Sequence, residues 1–150
     1  MKKFKLGALT LKLLLLMILT ACSAQNEKKD LKICPQCKME LPKSKIHTST
    51  LDKNDKVEYF DDIGCMVLWS KDNSIDLQKA NTKVFANDTK RYINASQAFY
   101  KIDKKTPMLY GFSAYEVDQN NTINFDEVFI RMLRGENMAN PKIRKQILGY

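Results

Sequence analysis

Tyr59-Phe60-Asp61-Asp62-Ile63-Gly64-Cys65-Met66-Val67-Leu68-Trp69 is where this chain changes its hydrophobic period. Upstream, Lys56 to Phe60 alternates polar and apolar residues, with Val57, Tyr59 and Phe60 apolar, the pattern of a strand with one covered face. Asp52-Lys53-Asn54-Asp55 is a turn cluster, and Ile46 to Leu51 supplies the other arm, so a hairpin is expected. Downstream, an acidic pair precedes an apolar stretch. Asp61 or Asp62 is expected to cap a helix there, because a side-chain oxygen accepts an amide that the first turn leaves free. Cys65 then falls in the first helical turn, where the positive end of the helix dipole lowers a thiol's pKa.

Working outward, Ser70 to Lys79 closes that helix and leads into a loop. Thr82 to Ala86, Lys90 to Asn94 and Phe112 to Val117 read as strands, and Ala95 to Ala98 as a short turn or helix before the apolar Phe99, Tyr100 and Ile102. Pro107 biases Thr106 toward extended backbone. Asn124 or Asp126 starts an amphipathic helix through Arg134, with Phe125, Val128, Phe129, Met132 and Leu133 on one face and Gly135 at its end. Pro141 to Leu148 reads as a second, mostly charged helix. Strands that alternate with few, late helices indicate an α+β domain with antiparallel sheets and a C-terminal helical tail.

The N-terminus reads as an export signal. Lys2, Lys3 and Lys5 form a basic flank, and Leu13 to Leu19 is an apolar run shorter than the roughly 20 residues that span a bilayer. Leu19-Thr20-Ala21-Cys22 resembles the lipobox of bacterial lipoproteins, which implies acylation of Cys22 and a membrane lipid as its first partner. The expected organisation is a signal over 1–21, a lipid-anchored polar tether over 22–32, a domain over 33–118 and a helical extension over 119–150. The whole chain is formally +8. Lys2, Lys3, Lys5 and Lys12 lie in the signal with no acid among them, which leaves +4 on the rest. That charge and the absence of a basic helix interleaved with aromatics argue against a nucleic-acid partner.

With Cys22 assigned to lipid, Cys34, Cys37 and Cys65 remain. An odd count in an oxidising compartment points to a free or metal-bound thiol rather than a disulfide scaffold. Cys34-x-x-Cys37 has three readings. A thioredoxin-like pair wants a long helix after it, and Pro42 leaves little room. A structural zinc site wants four ligands, for which Cys65 and His47, the one histidine, are the remaining candidates. A Cu(I) site takes thiolate and thioether ligands, and Met39, Met66 and Met108 lie close to a cysteine or beside a proline. Asn120-Asn121-Thr122, with Asp118 two residues earlier, is a sequon for asparagine glycosylation at Asn120.

Cys34-x-x-Cys37-x-Met39, then Tyr59-Phe60-Asp61-Asp62-Ile63-Gly64-Cys65-Met66, then Asp88-Thr89 with Tyr92-Ile93-Asn94-Ala95, Pro107-Met108 and Ala114-Tyr115, in this order, resemble the NosL family. These are lipoprotein accessory factors of nitrous-oxide reductase. The resemblance runs from about Ile33 to Tyr115 and implies a fold of two small ββαβ-like units. It implies a Cu(I) chaperone without catalytic activity, anchored on the periplasmic face of the cell membrane or outer membrane. Its implied partners are an ABC-type maturation complex and the reductase. By matching positions it implies Cys65, Met66 and Met108 as leading ligands, followed by Cys34, Cys37 and Met39. Two positions depart from the family pattern: Lys38 and Leu109 stand where glycine is usual. A thiol–disulfide protein using Cys34 and Cys37, or a zinc or heavy-metal module, are the alternatives.

Overall fold

The computed structural model describes residues 32–150. The expected signal, the Cys22 acylation site and nearly all of the tether lie outside the described residues. Two strands, β1 (Ser49–Lys53) and β2 (Lys56–Phe60), form the expected hairpin. Its loop is Asn54 and Asp55, both left-handed (φ 48° and 62°), between the paired Lys53 and Lys56. A two-residue loop with both residues at positive φ matches the right-handed twist of the strands it joins, and Asn and Asp tolerate it better than most side chains.

Helix α1 (Ile63–Asp72) follows at once and leads back to β3 (Thr82–Phe85), which pairs with β1 on the side opposite β2. β4 (Tyr92–Asn94) adds to the far edge, so the first sheet runs β2-β1-β3-β4, antiparallel throughout. A 3₁₀ turn (Ala95–Gln97) then gives way to β5 (Phe99–Ile102), which pairs with β6 (Phe112–Tyr115) in a second, two-stranded sheet. Helices α2 (Phe125–Arg134) and α3 (Pro141–Leu148) complete the chain. The fold is thus the expected α+β domain with antiparallel sheets and a helical C-terminus. The first sheet contains a complete ββαβ unit, β1 to β3.

Three details differ from the sequence pattern, each for a local reason. β1 begins at Ser49 rather than Ile46, because Lys45 and His47 are left-handed (φ 59° and 69°) and the Thr48 hydroxyl donates to the Lys45 carbonyl at 2.6 Å. β6 stops at Tyr115, because the next two amides, of Glu116 and Val117, donate to the Asp88 carboxylate at 3.0 Å rather than to a strand. β5 was not expected as a strand. Its Tyr100 exchanges both backbone hydrogen bonds with Ile123 and its buried hydroxyl donates to the Ala95 carbonyl at 2.7 Å, so long-range partners define it.

The core lies between the first sheet, α1 and α2. Leu51, Phe60 and Val84 from the strands meet Ile63, Met66 and Val67 of α1 and Phe125, Val128 and Met132 of α2. Fully burying one such side chain contributes about 1.5–3 kcal/mol. Residues 119–150, read from sequence as an extension, therefore supply part of the same core. Asn124 caps α2 by accepting the Glu127 amide, and Gly135, at φ 69°, ends it in the left-handed conformation.

Candidate metal centre

The first two thiols sit on a closed loop. The Lys38 amide donates to the Cys34 carbonyl at 3.0 Å, and the Cys34 amide to the Met39 carbonyl at 2.9 Å. Ile33 and Glu40 form a single antiparallel bridge at its base. Lys38 makes the reversal at φ 66°, where a side chain is strained, and its Nζ donates to the Pro35 carbonyl at 2.7 Å. No helix starts directly after Cys37: the next one in the chain is α1, at Ile63. The long helix of a thioredoxin-like pair is missing there.

The third thiol comes from the strand-to-helix junction. Asp62 is the N-cap of α1 and accepts the Gly64 amide at 2.9 Å, which places Cys65 in the first turn. Gly64 allows close packing there: a Cβ would overlap the Tyr110 ring and lie 2.8 Å from Met132 Cε. Cys34, Cys37, Cys65 and Asp61 present three sulfurs and a carboxylate oxygen within 4.8 Å of one another. All three cysteines are free. Cys34, Cys65 and Asp61 are fully buried and Cys37 is partly exposed.

Asp61 is the residue that sequence reasoning missed. It and Asp62 looked interchangeable as caps, but one helix needs one Ncap. Both oxygens of Asp61 are buried without a hydrogen-bond partner, which is costly for a carboxylate unless a cation compensates it. The available signal was the second acid of the pair, set between Phe60 and Ile63 with no capping role left for it.

The protons at the site are unequally held. The Cys65 thiol proton pulls Cys34 down to about 6, against the effect of burial, with help from the Cys37 and Asp61 amides. Cys65 is correspondingly raised, first by Cys34 and then by burial and the nearby carboxylates. The expectation that the helix dipole would lower Cys65 is therefore overturned, because sharing a proton with Cys34 and desolvation outweigh it. Burial, followed by smaller effects of Asp61 and Cys34, pushes Cys37 up to about 12 despite the Met39 amide. Burial raises Asp62 to about 6 against hydrogen bonds from Thr106, Gly64 and Met108.

The other sequence candidates are distributed as follows. Met39 is exposed at the end of the Cys34–Cys37 loop. Met66 is fully buried in the core beside Cys65. Met108 is half-buried on the β5–β6 loop, where Asp62 accepts its amide at 3.4 Å. His47 is not a member of the thiol group; it lies on the turn before β1, in a cavity with Lys90. Asn120 is exposed beside a left-handed turn at Asn121. Chemically, three sulfurs and one oxygen at this spacing can hold a single metal ion, since contraction to the roughly 3.8 Å between sulfurs of a tetrahedral zinc–thiolate site needs shifts of about 1 Å or less. No known family, curated protein or solved structure matches this chain at a significant level.

Proposed function

We propose that this protein is a lipid-anchored, extracytoplasmic Cu(I) carrier of the NosL type, a binding module that passes copper to the maturation machinery of nitrous-oxide reductase. The convergence of Cys34, Cys37 and Cys65, all free, is the observation that carries the metal-binding part of this reading. Thiolates are soft ligands that select Cu(I) over hard cations. Cys37 is the partly exposed member, so a partner's thiolate can attack from that side and take the ion by ligand exchange. Lys38 and Leu109, the two positions where glycine is usual in the family, have φ of 66° and 60°, the backbone that glycine adopts most readily. Those values support the resemblance. Acylation at Cys22 and the membrane complex as partner rest on the sequence resemblance.

Asp61 favours a second reading. A carboxylate is a harder donor than a thiolate, and three cysteines plus Asp61 make a four-coordinate set suited to Zn²⁺. One titration separates the two. Metal-free full chain in uncharged maltoside micelles is titrated anaerobically with Cu(I) in the presence of a Cu(I)-specific chelator, and in parallel with Zn²⁺ against a zinc chelator. The carrier reading expects one Cu(I) per chain, with binding weakened at least a hundredfold by Cys65→Ser. Stoichiometric Zn²⁺ held against chelation, with Cu(I) lost to the competitor, decides for the zinc site. Failure to hold either ion rejects both.

A further inference from the structure

Away from the thiols, two cavities meet at one pair of lysines. The first, about 340 Å³, is lined by His47, Asn87, Lys90, Lys104, Lys105 and Tyr115. The second, about 360 Å³, shares Lys104 and Lys105 and continues over Leu109, Met138 and Leu148 to Tyr150, with Arg144 at its rim. One end is thus polar and cationic, and the other apolar with a cationic edge.

The polar end is built with unmet hydrogen-bonding capacity. His47 Nδ1 is buried without a partner. His47 and Lys90 are both held left-handed (φ 69° and 56°), a strain that persists where the surrounding fold imposes it. Burial, and then the charges of Asp103 and Asp88, raise the Tyr115 phenol, so these two acids lie within electrostatic reach of the cavity. Asp88 is occupied by the amides of Thr89, Glu116 and Val117. Three ammonium groups, an imidazole, an amide and a phenol offer more donors than the two oxygens of a carboxylate can use, and suit the three or four oxygens of a phosphoryl group.

The apolar end extends this to an amphiphile. Leu109, Leu148 and Tyr150 are exposed, and α3 carries Lys142, Arg144 and Lys145 with no acid. Apolar side chains edged by cations are the composition of a surface that contacts anionic lipid.

We propose that the His47–Lys90–Lys104–Lys105 cavity binds the phosphoryl headgroup of an anionic membrane lipid, whose apolar part lies along Leu109, Met138 and Leu148. The site is separate from the thiol cluster and does not depend on the metal reading.

His47 is the one histidine of the chain, so its imidazole NMR signals report the cavity directly. The metal-free full chain in uncharged maltoside micelles is titrated with short-chain phosphatidylglycerol, with short-chain phosphatidylcholine and with inorganic phosphate. The Tyr150 ring is followed by tyrosine labelling and assigned with Tyr150→Phe. The expected result is a saturable shift of both His47 and Tyr150 with phosphatidylglycerol, a weaker shift of His47 alone with phosphate, and at least tenfold weaker lipid binding in Lys104→Gln/Lys105→Gln. Both lysines are exposed, and unchanged Trp69 emission verifies the fold of that variant. Four results overturn the proposal: no His47 shift with any ligand; equal affinity for phosphate and the lipid with Tyr150 silent; equal response to both lipids; or unchanged lipid affinity in the double variant.

Discussion

Asp61 and Asp62 are adjacent, both fully buried, and oppositely employed. Asp62 accepts the amides of Gly64 and Met108, which ties the start of α1 to the β5–β6 loop. Asp61 takes no hydrogen bond at normal distance and lies within 4.8 Å of the three thiols. One carboxylate serves the fold and the other is left for a ligand.

That division predicts different effects of the two isosteric or truncating changes. Asp61→Asn is expected to leave the stability of the metal-free chain unchanged or to raise it by up to about 1 kcal/mol, because the carboxylate oxygens take no close hydrogen bond that the change would remove, while weakening metal binding at least tenfold. Asp62→Ala is expected to cost about 1 kcal/mol or more through loss of the cap. Urea unfolding of the metal-free variants, set beside their metal affinities, checks both signs. An Asp61→Asn chain that loses stability would show that this carboxylate has a structural partner.

Gly64→Ala tests the packing over the helix start. The added methyl overlaps the Tyr110 ring and presses on Met132, so a loss of about 1–3 kcal/mol is expected. The companion change Met132→Ala leaves the Tyr110 overlap in place, so it should recover only part of that loss. Thermal unfolding of the single and double variants measures the coupling.

Lys38 and Leu109 test the left-handed positions. Glycine relieves the side-chain strain but makes the unfolded chain more flexible, so Lys38→Gly and Leu109→Gly should each raise stability by about 0.5 kcal/mol. Lys38→Val should instead lose about 1 kcal/mol or more, because a β-branched residue tolerates positive φ least. Denaturant midpoints at constant slope distinguish these outcomes.

Asp88 carries a pH prediction. Burial pushes its carboxyl up, but the amides of Val117, Glu116 and Thr89 together outweigh that and hold it below its ordinary 3.8. A carboxyl lowered in the folded state contributes stability above its unfolded pKa and loses that contribution as pH falls through the folded value. Asp88 is exposed, so solvent screens the effect: Asp88→Asn should cost less than about 1 kcal/mol at pH 7, with the gap to the unsubstituted chain narrowing as pH drops below 3.8. A gap that stays constant from pH 7 to pH 2 would refute the assignment.

Much of this molecule was legible in its sequence. Hydrophobic alternation over Lys56 to Phe60, the acidic pair before Ile63, and the spacing of Phe125, Val128 and Met132 are local signals, and each produced its expected element. Cys34 and Cys37 could be read together because a closed loop of a few residues joins them. What the sequence left open depends on partners far along the chain. β5 takes its backbone bonds from Phe112 to Tyr115 and from Ile123, and β6 ends where Asp88 captures its next amides. Local composition alone thus determined the α+β class, the helix starts to within one or two residues, and the cysteines as candidate soft ligands. Only tertiary packing decided that Cys65 meets the Cys34–Cys37 loop, that Asp61 and not His47 joins them, and that the Cys65 thiol is raised rather than lowered, because burial and mutual distance set those properties.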